Sequence, residues 1–321
     1  MAKFGKPKHS GTWKAKKGLL CSKCKKKAAV FLNYSKIGLC QPHFARMFET
    51  RVMRSVRQHR MLKKGEKIAV ALSGGKDSIV VLHMLHKISK SLPIKLFAIS
   101  IDEGIGGYRK QAIKTAKKEC KKLKVPHFVA SFKQEYKKSL DQLIKERGEA
   151  LSCSFCGIMR RYLLNKTARK HRAAKLAIGH NADDIAQTVM MNFMRNEPGR
   201  LARFGPVGGT VEDKRLVTRI RPLFCTPEID VVAYATLKGL LFHHDRCPYS
   251  KNAFRESVRS LLNKMEQRYS GTKLKILNAF LSQLEVMKKA AKQKKVKIGK
   301  CSSCNEPSSK NLCRLCKLLG K

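Results

Sequence analysis

A short apolar run, Ile68–Leu72, ends in Ser73-Gly74-Gly75-Lys76-Asp77-Ser78 and passes at once into a stretch whose spacing predicts a helix over Asp77–Lys90. A strand, a glycine turn and a helix start in direct succession form a βα unit. Gly74 and Gly75 let the backbone approach an anion, Ser73 and Ser78 can donate hydroxyl hydrogen bonds, Lys76 adds charge, and the helix start offers free N–H groups. Ala71 leads into this phosphate cradle. The bland alternative is a serine–glycine turn capping a helix, with Asp77 favoured at the positive end of its dipole. The strand before it and the helix after it favour the cradle. It is not a Walker A loop, which needs a glycine five residues before Gly75, nor a G-x-G-x-x-G turn.

The same alternation continues. Leu96–Ile101, Phe128–Phe132 and Leu176–Ile178 read as buried strands, and Tyr108–Leu123, Gln134–Arg147 and Cys156–His171 as helices. Repeated βα units predict an α/β fold, a parallel sheet with helices on both faces. His43–Leu62 shows helical spacing, and residues 252–293 are expected to be mostly helical.

Eight of the 12 cysteines fall in four C-x-x-C pairs. At one end the pattern is Cys21-x2-Cys24-x15-Cys40-x2-His43; at the other it is Cys301-x2-Cys304-x8-Cys313-x2-Cys316. Each knuckle aims two ligands at one ion, and two knuckles complete a closed tetrahedron, the geometry of structural zinc. Two Zn2+ are therefore expected, with no open position for chemistry. The alternative, unrelated buried thiols and a surface histidine, does not account for the repeated spacing. The stretch from Gly299 to Lys321 is too short for an apolar core of its own and needs a metal to hold shape.

Charge bears on partners. Lys and Arg total 70 against 22 Asp and Glu, a formal net charge of +48. Such an excess repels itself and makes sense beside a polyanion, nucleic acid before an anionic membrane surface. No apolar run is long enough for a transmembrane helix and no signal-peptide core follows the basic start, so a soluble, cytoplasmic protein with no membrane partner is expected. Candidate nucleic-acid surfaces are the arm over residues 1–17, read as poorly ordered, the helix Arg46–Arg60, and the tail Lys288–Lys300, although any single charge run is usually a solvated face. Aromatic residues at 7% make a stacking-rich single-strand binder less favoured. Three domains are expected: 1–64, with the arm, a zinc finger and a basic helix; 65–250, the α/β domain with the phosphate cradle; and 251–321, a helical segment and a second zinc finger.

Cys153-x-x-Cys156-Gly157 lies inside the α/β region, where such a pair is a redox couple, half a zinc site or two buried thiols. Cys247, in Cys247-Pro248, is a third candidate; three thiolates hold a 4Fe-4S cluster or a zinc with one position open. Spacing does not show that Cys247 comes near the pair. His180 reads as a substrate contact or as a capping or packed histidine, and Asp183 or Asp184 as a complement to a helix dipole. Cys120 and Cys225 read as ordinary thiols, and Met190, Met191 and Met194 as core.

S-G-G-x-D-S after a strand resembles the signature of the PP-loop ATP pyrophosphatases, which cleave ATP between the α and β phosphates and transfer AMP to a carbonyl oxygen. The two terminal clusters, the Ser73–Ser78 loop, Cys153-x-x-Cys156-Gly157, Gly179-His180-Asn181-Ala182-Asp183-Asp184 and Cys247-Pro248 together resemble TtuA-type tRNA 2-thiolation enzymes, the group that includes archaeal and eukaryotic wobble-uridine thiolases. The match covers all but residues 1–17. The resemblance implies a PP-loop, Rossmann-like domain of the adenine nucleotide α-hydrolase type flanked by two zinc modules. It implies that Cys153, Cys156 and Cys247 ligate a 4Fe-4S cluster whose fourth iron binds sulfide. The Ser73–Ser78 loop would hold ATP phosphates, with Ser100–Ile101 and Gly179 near the adenosine and Asp184 by the reacting centre, through Mg2+. Some members carry a lysine four residues after the second cluster cysteine; this chain has Arg160, which stabilises phosphate charge but hardly deprotonates.

The implied activity is ATP-dependent tRNA-uridine 2-sulfurtransfer: adenylation of the uridine C2 oxygen, then its replacement by sulfur from the cluster. The resemblance also implies a homodimer and, as one possible sulfur source, a ubiquitin-like carrier. Two other functions compete: a PP-loop ligase or amidotransferase with a different acceptor, and a zinc-containing RNA-binding protein without chemistry. The first needs no Cys153/Cys156/Cys247 set, and the second has no use for an intact loop.

Overall fold

The computed structural model describes residues 13–149, 152–208, 213, 215–245, 247–250, 253–293 and 298–320. Its centre is a five-stranded, wholly parallel sheet in the order β5-β4-β3-β6-β7, where β3 is Lys67–Ala71, β4 Lys95–Asp102, β5 His127–Ser131, β6 Lys175–Ala177 and β7 Thr218–Ile220. Both faces are buried, so the strands read as continuous apolar runs. Ile68, Val70 and Ala98 face one apolar layer with α2 (Lys76–Ser89), α3 (Arg109–Lys122) and α9 (Glu228–Leu237); Ala69, Phe97, Ile99 and Ile101 face another with α5 (Leu140–Arg147) and α6 (Ser152–Lys170).

The chain winds outward from β3 to β4 and β5, then crosses back to lay β6 on the other side of β3. The sheet therefore has a switch point between β3 and β6, and the crevice at their carboxyl ends is where open parallel sheets bind ligands. The Ser73–Ser78 loop follows β3 and Gly179–Asp184 follows β6, so both border this crevice.

The amino-terminal module has a hairpin, β1 (Val30–Leu32) and β2 (Ile37–Leu39), leading into α1 (Gln41–Gln58), which starts with a proline in its first turn. Phe44, Phe48, Val52 and Val56 recur every four residues along α1 and join Trp13, Val30 and Leu39 to the layer that holds α2 and α9. The arm is thus ordered from Trp13 onward: Trp13 is buried, and backbone bonds tie Phe31 to Trp13 and Ala15 to Ala29. The rest of the arm, residues 1–12, lies outside the described residues.

The expected helix over Gln134–Arg147 is two helices, α4 (Phe132–Tyr136) and α5. Lys137 turns left-handed at φ 62°, and Ser139 opens α5 with a capping box through Gln142. β7 is not legible in the sequence because its three residues, Thr218-Arg219-Ile220, carry an arginine and no apolar run, unlike the equally short apolar Leu176–Ile178. After α7 (Ala182–Met194) and α8 (Pro198–Ala202), the helices α10 (Phe254–Arg268) and α11 (Thr272–Gln293) pack on α7 through Leu262, Leu277, Phe280 and Leu284. Met194 is exposed rather than in the core, while Met190 and Met191 border it. A small hairpin, β8 (Gly299–Lys300) and β9 (Pro307–Ser308), and α12 (Arg314–Leu319) close the chain, with Cys301, Leu315 and Leu318 in the layer of α6.

Candidate functional site

The loop after β3 is braced by its own hydroxyls. Ser73 N–H donates to Ser78 Oγ at 3.1 Å, Ser78 Oγ donates to the Gly75 carbonyl at 2.9 Å, and Gly75 N–H donates to Ser73 Oγ at 3.3 Å. Gly74 sits at φ 86°, and a Cβ there would lie 2.3 Å from the Ala112 carbonyl oxygen of α3, so only glycine fits. Gly75, by contrast, would meet only Ser73 Oγ at 3.6 Å. Buried Arg109 holds the loop from below, its Nη1 donating to the Ser73 carbonyl at 2.8 Å and its Nε to the Ile101 carbonyl at 2.6 Å.

Lys76 does not point freely into the cradle. Its ammonium lies 2.9 Å from Asp77 Oδ2 and 2.8 Å from Glu228 Oε1. Burial pulls its pKa down, but these two carboxylates more than offset that and hold it above the usual lysine range. The second wall is the start of α7. Asn181 caps that helix, with Asp184 completing the capping box, and Asn181 Nδ2 donates to Asp77 Oδ1 at 2.9 Å. A Cβ on Gly179 would lie 2.9 Å from Ser78 N, so the close approach of the two walls depends on glycine.

Asp77, Asp184 and Glu228 thus share one region. Burial, then the charges of Asp77 and Glu228, push the Asp184 carboxyl up to about 7; Arg255 and the Asn181 N–H act the other way. Asp183 is turned inward, accepting from Glu228 N–H at 2.8 Å and pairing with Lys273 Nζ. Arg259 pairs with Glu228 at 3.1 Å. Arg109, Glu228, Arg255, Arg259 and Lys273 were not legible as site residues, because nothing local marks a lone charge on a distant helix.

The sheet edge also decides where Cys247 goes. His243 N–H donates to the Gly74 carbonyl at 2.8 Å, laying residues 243–245 beside the phosphate loop. The chain then turns through Pro248–Ser250 against α6, where Cys153 Sγ donates to the Tyr249 carbonyl at 3.5 Å. Cys153, Cys156 and Cys247 are accordingly neighbours, the first exposed and the others half-buried. Burial pushes the Cys156 thiol up to about 11; Arg160 opposes this, while Glu103, Cys247 and Cys153 add to it. Burial likewise raises Cys247. Three thiols from two segments are a soft donor set that fits an iron–sulfur group, in which each cysteine takes a different iron. They do not form a set as tight as the zinc-type ones described next.

Arg160 stands beside Cys156 and lies 3.7 Å from the buried Glu103. The Cys156 sulfur first, then Glu103, Tyr108 and Cys247, hold its guanidinium above the usual value against burial. It is a fixed cation rather than a base. His180 has an exposed edge but sits deep in the crevice, with protein and protein charge packed around it. Burial of the ring, then Arg221, Arg255, Arg160 and Arg219, push it down to about 3, so it is neutral at physiological pH.

Both terminal sets converge. The ligand atoms of Cys21, Cys24, Cys40 and His43 lie within 4.8 Å of one another, as do those of Cys301, Cys304, Cys313 and Cys316. Cys24 Sγ and Cys40 Sγ are 3.7 Å apart, and Cys304 Sγ and Cys313 Sγ also 3.7 Å, close to the edge of a ZnS4 tetrahedron built on Zn–S bonds of about 2.3 Å. His43 faces its set through Nδ1, 3.3 Å from Cys40 Sγ.

Ser100 is fully buried, its hydroxyl donating to the Leu72 carbonyl at 2.6 Å and lying 2.7 Å from His127 Nε2; the Ile101 side chain is in the core. Only their backbone can face a nucleotide. A cavity of about 610 Å³ between the end of α1 and α11, lined in part by His59, Cys225, Leu281 and Lys288, shares no residue with the crevice. Cys120 is buried. On α1, Arg46, Arg54 and Arg57 are exposed, but Arg51 turns in to Asp230 at 2.5 Å and Tyr34 at 2.8 Å; the helix stops at Gln58, short of the expected Arg60, which is exposed and turns left-handed at φ 48°. Of the tail Lys288–Lys300, residues 294–297 lie outside the described residues.

Residues 45–266 match the family model of a PP-loop domain, and residues 20–45 match that of the 2-thiouridine synthetase TtuA N-terminal LIM domain. The chain is 32% identical to the tRNA-5-methyluridine(54) 2-sulfurtransferase of Pyrococcus horikoshii, over 94% of this chain and 93% of that protein. It is 33% identical to the tRNA 2-thiolation protein NcsA of Haloferax volcanii, over 93% and 98%, and 33% identical to cytoplasmic tRNA 2-thiolation protein 1 of Danio rerio, over 93% and 87%. Among solved structures it resembles the U34-tRNA thiolase NcsA from Methanococcus maripaludis with its 4Fe-4S cluster, at TM-score 0.79 and 32% identity, covering 93% of this chain and 95% of that one.

Proposed function

This chain belongs to the PP-loop family of TtuA/NcsA-type tRNA thiolases, and on that premise we propose that it is an ATP-dependent tRNA-uridine 2-sulfurtransferase acting at the crevice between β3 and β6. The observation that carries the proposal is the meeting, at one end of the sheet, of the Ser73–Ser78 loop, the Asp184 wall and the three thiols.

The uridine C2 oxygen attacks the α-phosphorus of ATP, and pyrophosphate leaves into the cradle. The N–H groups at the start of α2 and the two hydroxyls receive the phosphate oxygens. Asp77, Asp184 and Glu228 offer hard oxygen ligands for Mg2+. Arg160, a permanent cation beside Cys156, stabilises charge on the departing AMP and moves no proton. Cys153, Cys156 and Cys247 would hold a 4Fe-4S cluster, which when bound supplies sulfide at an iron without a protein ligand. Burial favours the protonated Cys156 thiol, and ligation would displace that proton. The two tetrahedral sets hold Zn2+ as structural metals.

The proposal extends to a homodimer and to a ubiquitin-like sulfur carrier as donor; the family resemblance supports both. It also places the protein in the cytoplasm; no helix among the described residues is long and apolar enough to cross a membrane.

The test begins with protein purified without oxygen. Two zincs with about four irons and four acid-labile sulfides per chain are expected. Thiolation is then read as 2-thiouridine in digested tRNA, with and without ATP. Cys156→Ala should keep ATP binding and zinc, lose the iron, and lose thiolation. Full thiolation by a cluster-free protein would overturn the mechanism.

A further inference from the structure

Four arginines, Arg160, Arg219, Arg221 and Arg255, surround His180, and Arg161 stands beside Arg160 and Arg219. Among the described residues Arg161, Arg219 and Arg221 have no carboxylate partner. Arg161 lies on α6 one turn beyond Cys156–Gly157; Arg219 is in β7, and Arg221 directly follows it. Arg161 and Arg219 form no ion pair among the described residues, while Arg221 gives Nη1 to the Gly205 carbonyl at 2.5 Å, rests on Phe204 at 4.6 Å, and leaves a buried Nε without a partner. Burial lowers all three pKa values; Arg219 adds repulsion to Arg161 and Arg221, and both reach about 10.

Glycine makes room for two of these groups. A Cβ on Gly157 would lie 3.2 Å from Arg161 Nη1, and one on Gly208 would lie 3.4 Å from Arg221 Nη1. Arg221 is therefore seated against backbone out of water, while Arg161 lies along the α6 backbone with an exposed outer side. Grouping like charges in a partly desolvated cleft costs stability, and an anion bound between them offsets that cost.

We propose that Arg161, Arg219 and Arg221 form a second anion subsite, separate from the phosphate loop, that takes a backbone phosphodiester of the RNA substrate next to the reacting uridine. The nucleotide phosphates already have a place after β3. β7 lies two strands away across β6, about 10 Å at the usual strand spacing, which puts the arginines on the far side of His180 from that cradle. Arg161 also flanks Cys156, so a phosphate held there belongs to a nucleotide whose base reaches the thiols. Planar guanidinium forks suit phosphate oxygens, and such contacts set register on the RNA rather than sequence preference.

This inference rests on the tRNA thiolase reading, and binding separates the two. tRNA affinity of the zinc- and cluster-loaded protein is measured by fluorescence anisotropy across a range of salt, alongside ATP affinity by calorimetry, for Arg161→Gln, Arg219→Gln and Lys121→Gln as a distant surface control. Each arginine variant is expected to weaken tRNA roughly tenfold and to lower the log–log salt slope by about 1, with ATP affinity unchanged and Lys121→Gln near wild type. Weakened ATP binding with tRNA binding intact would assign the subsite to the nucleotide and overturn the proposal. So would no change in either, or an equal loss in Lys121→Gln. Wild-type protein that binds no tRNA would sink the thiolase reading itself. Arg161 is solvent-exposed, so its variant should fold even if Arg219→Gln does not; zinc content and thermal unfolding report this.

Discussion

Asp184 carries a pH dependence whose sign follows from its surroundings. Its carboxyl sits at about 7 against the usual 3.8, so between those values the folded chain holds a proton that the unfolded chain has lost. The Asp184 contribution to stability should therefore fall as pH rises from about 4 to about 7, since for this group the unfolded state binds fewer protons there, while His180, held neutral in the fold, contributes the opposite slope below about 6.5. Urea midpoints are taken without Mg2+ at pH 5 and pH 8, and the change from pH 5 to pH 8 should be more favourable to the folded state in Asp184→Asn than in the unaltered chain. An unchanged difference in the variant would place the proton elsewhere. Ser73, Gly74, Gly75, Asp77 and Ser78 were readable as a cradle because they are consecutive. The partners of Lys76 and Asp183 were not: Glu228 and Lys273 come from α9 and α11, far along the chain.

Helix positions were largely legible where periodicity ran for three turns or more, as in α1, α2, α3 and α6, whereas neither hairpin was. Local stop signals were harder to see: Ser139 with Gln142 reads as a capping box only once Lys137 is known to break the helix. At the amino end, reading the arm as free missed that Trp13 closes the apolar face of the first hairpin. That tryptophan is the only one in the chain, so it reports on the module. Removing metal with a strong chelator should expose it and shift its emission to longer wavelength. His43→Ala should do the same without chelator, while Cys304→Ser at the other end should leave the spectrum near wild type. A shift in the last variant alone would mean that Trp13 reads the wrong cluster.

Over the whole molecule, a net charge of +48 acts as a field rather than as single contacts. Arg46, Arg54 and Arg57 keep α1 basic on its outer face, with Arg60 just past its end, while Arg51 is diverted to Asp230 and Tyr34 and holds the amino-terminal module to α9. If about six phosphates are neutralised, tRNA affinity should drop about a thousandfold between 50 and 200 mM salt. A slope near zero would contradict a backbone-reading surface.

The sequence by itself determined the features that act over short range. These are the paired metal knuckles, the phosphate loop, the βα alternation and the polyanion-seeking charge, each set by residues a few positions apart. Tertiary structure decided what strand order alone can arrange. Crossing back from β5 to β6 makes the crevice, and pairing residues 243–245 with Gly74 brings Cys247 to Cys153 and Cys156. Placing β7 beyond β6 sets Arg219 beside Arg161 of α6. No local pattern encodes such meetings, because they depend on which distant segments share a sheet edge.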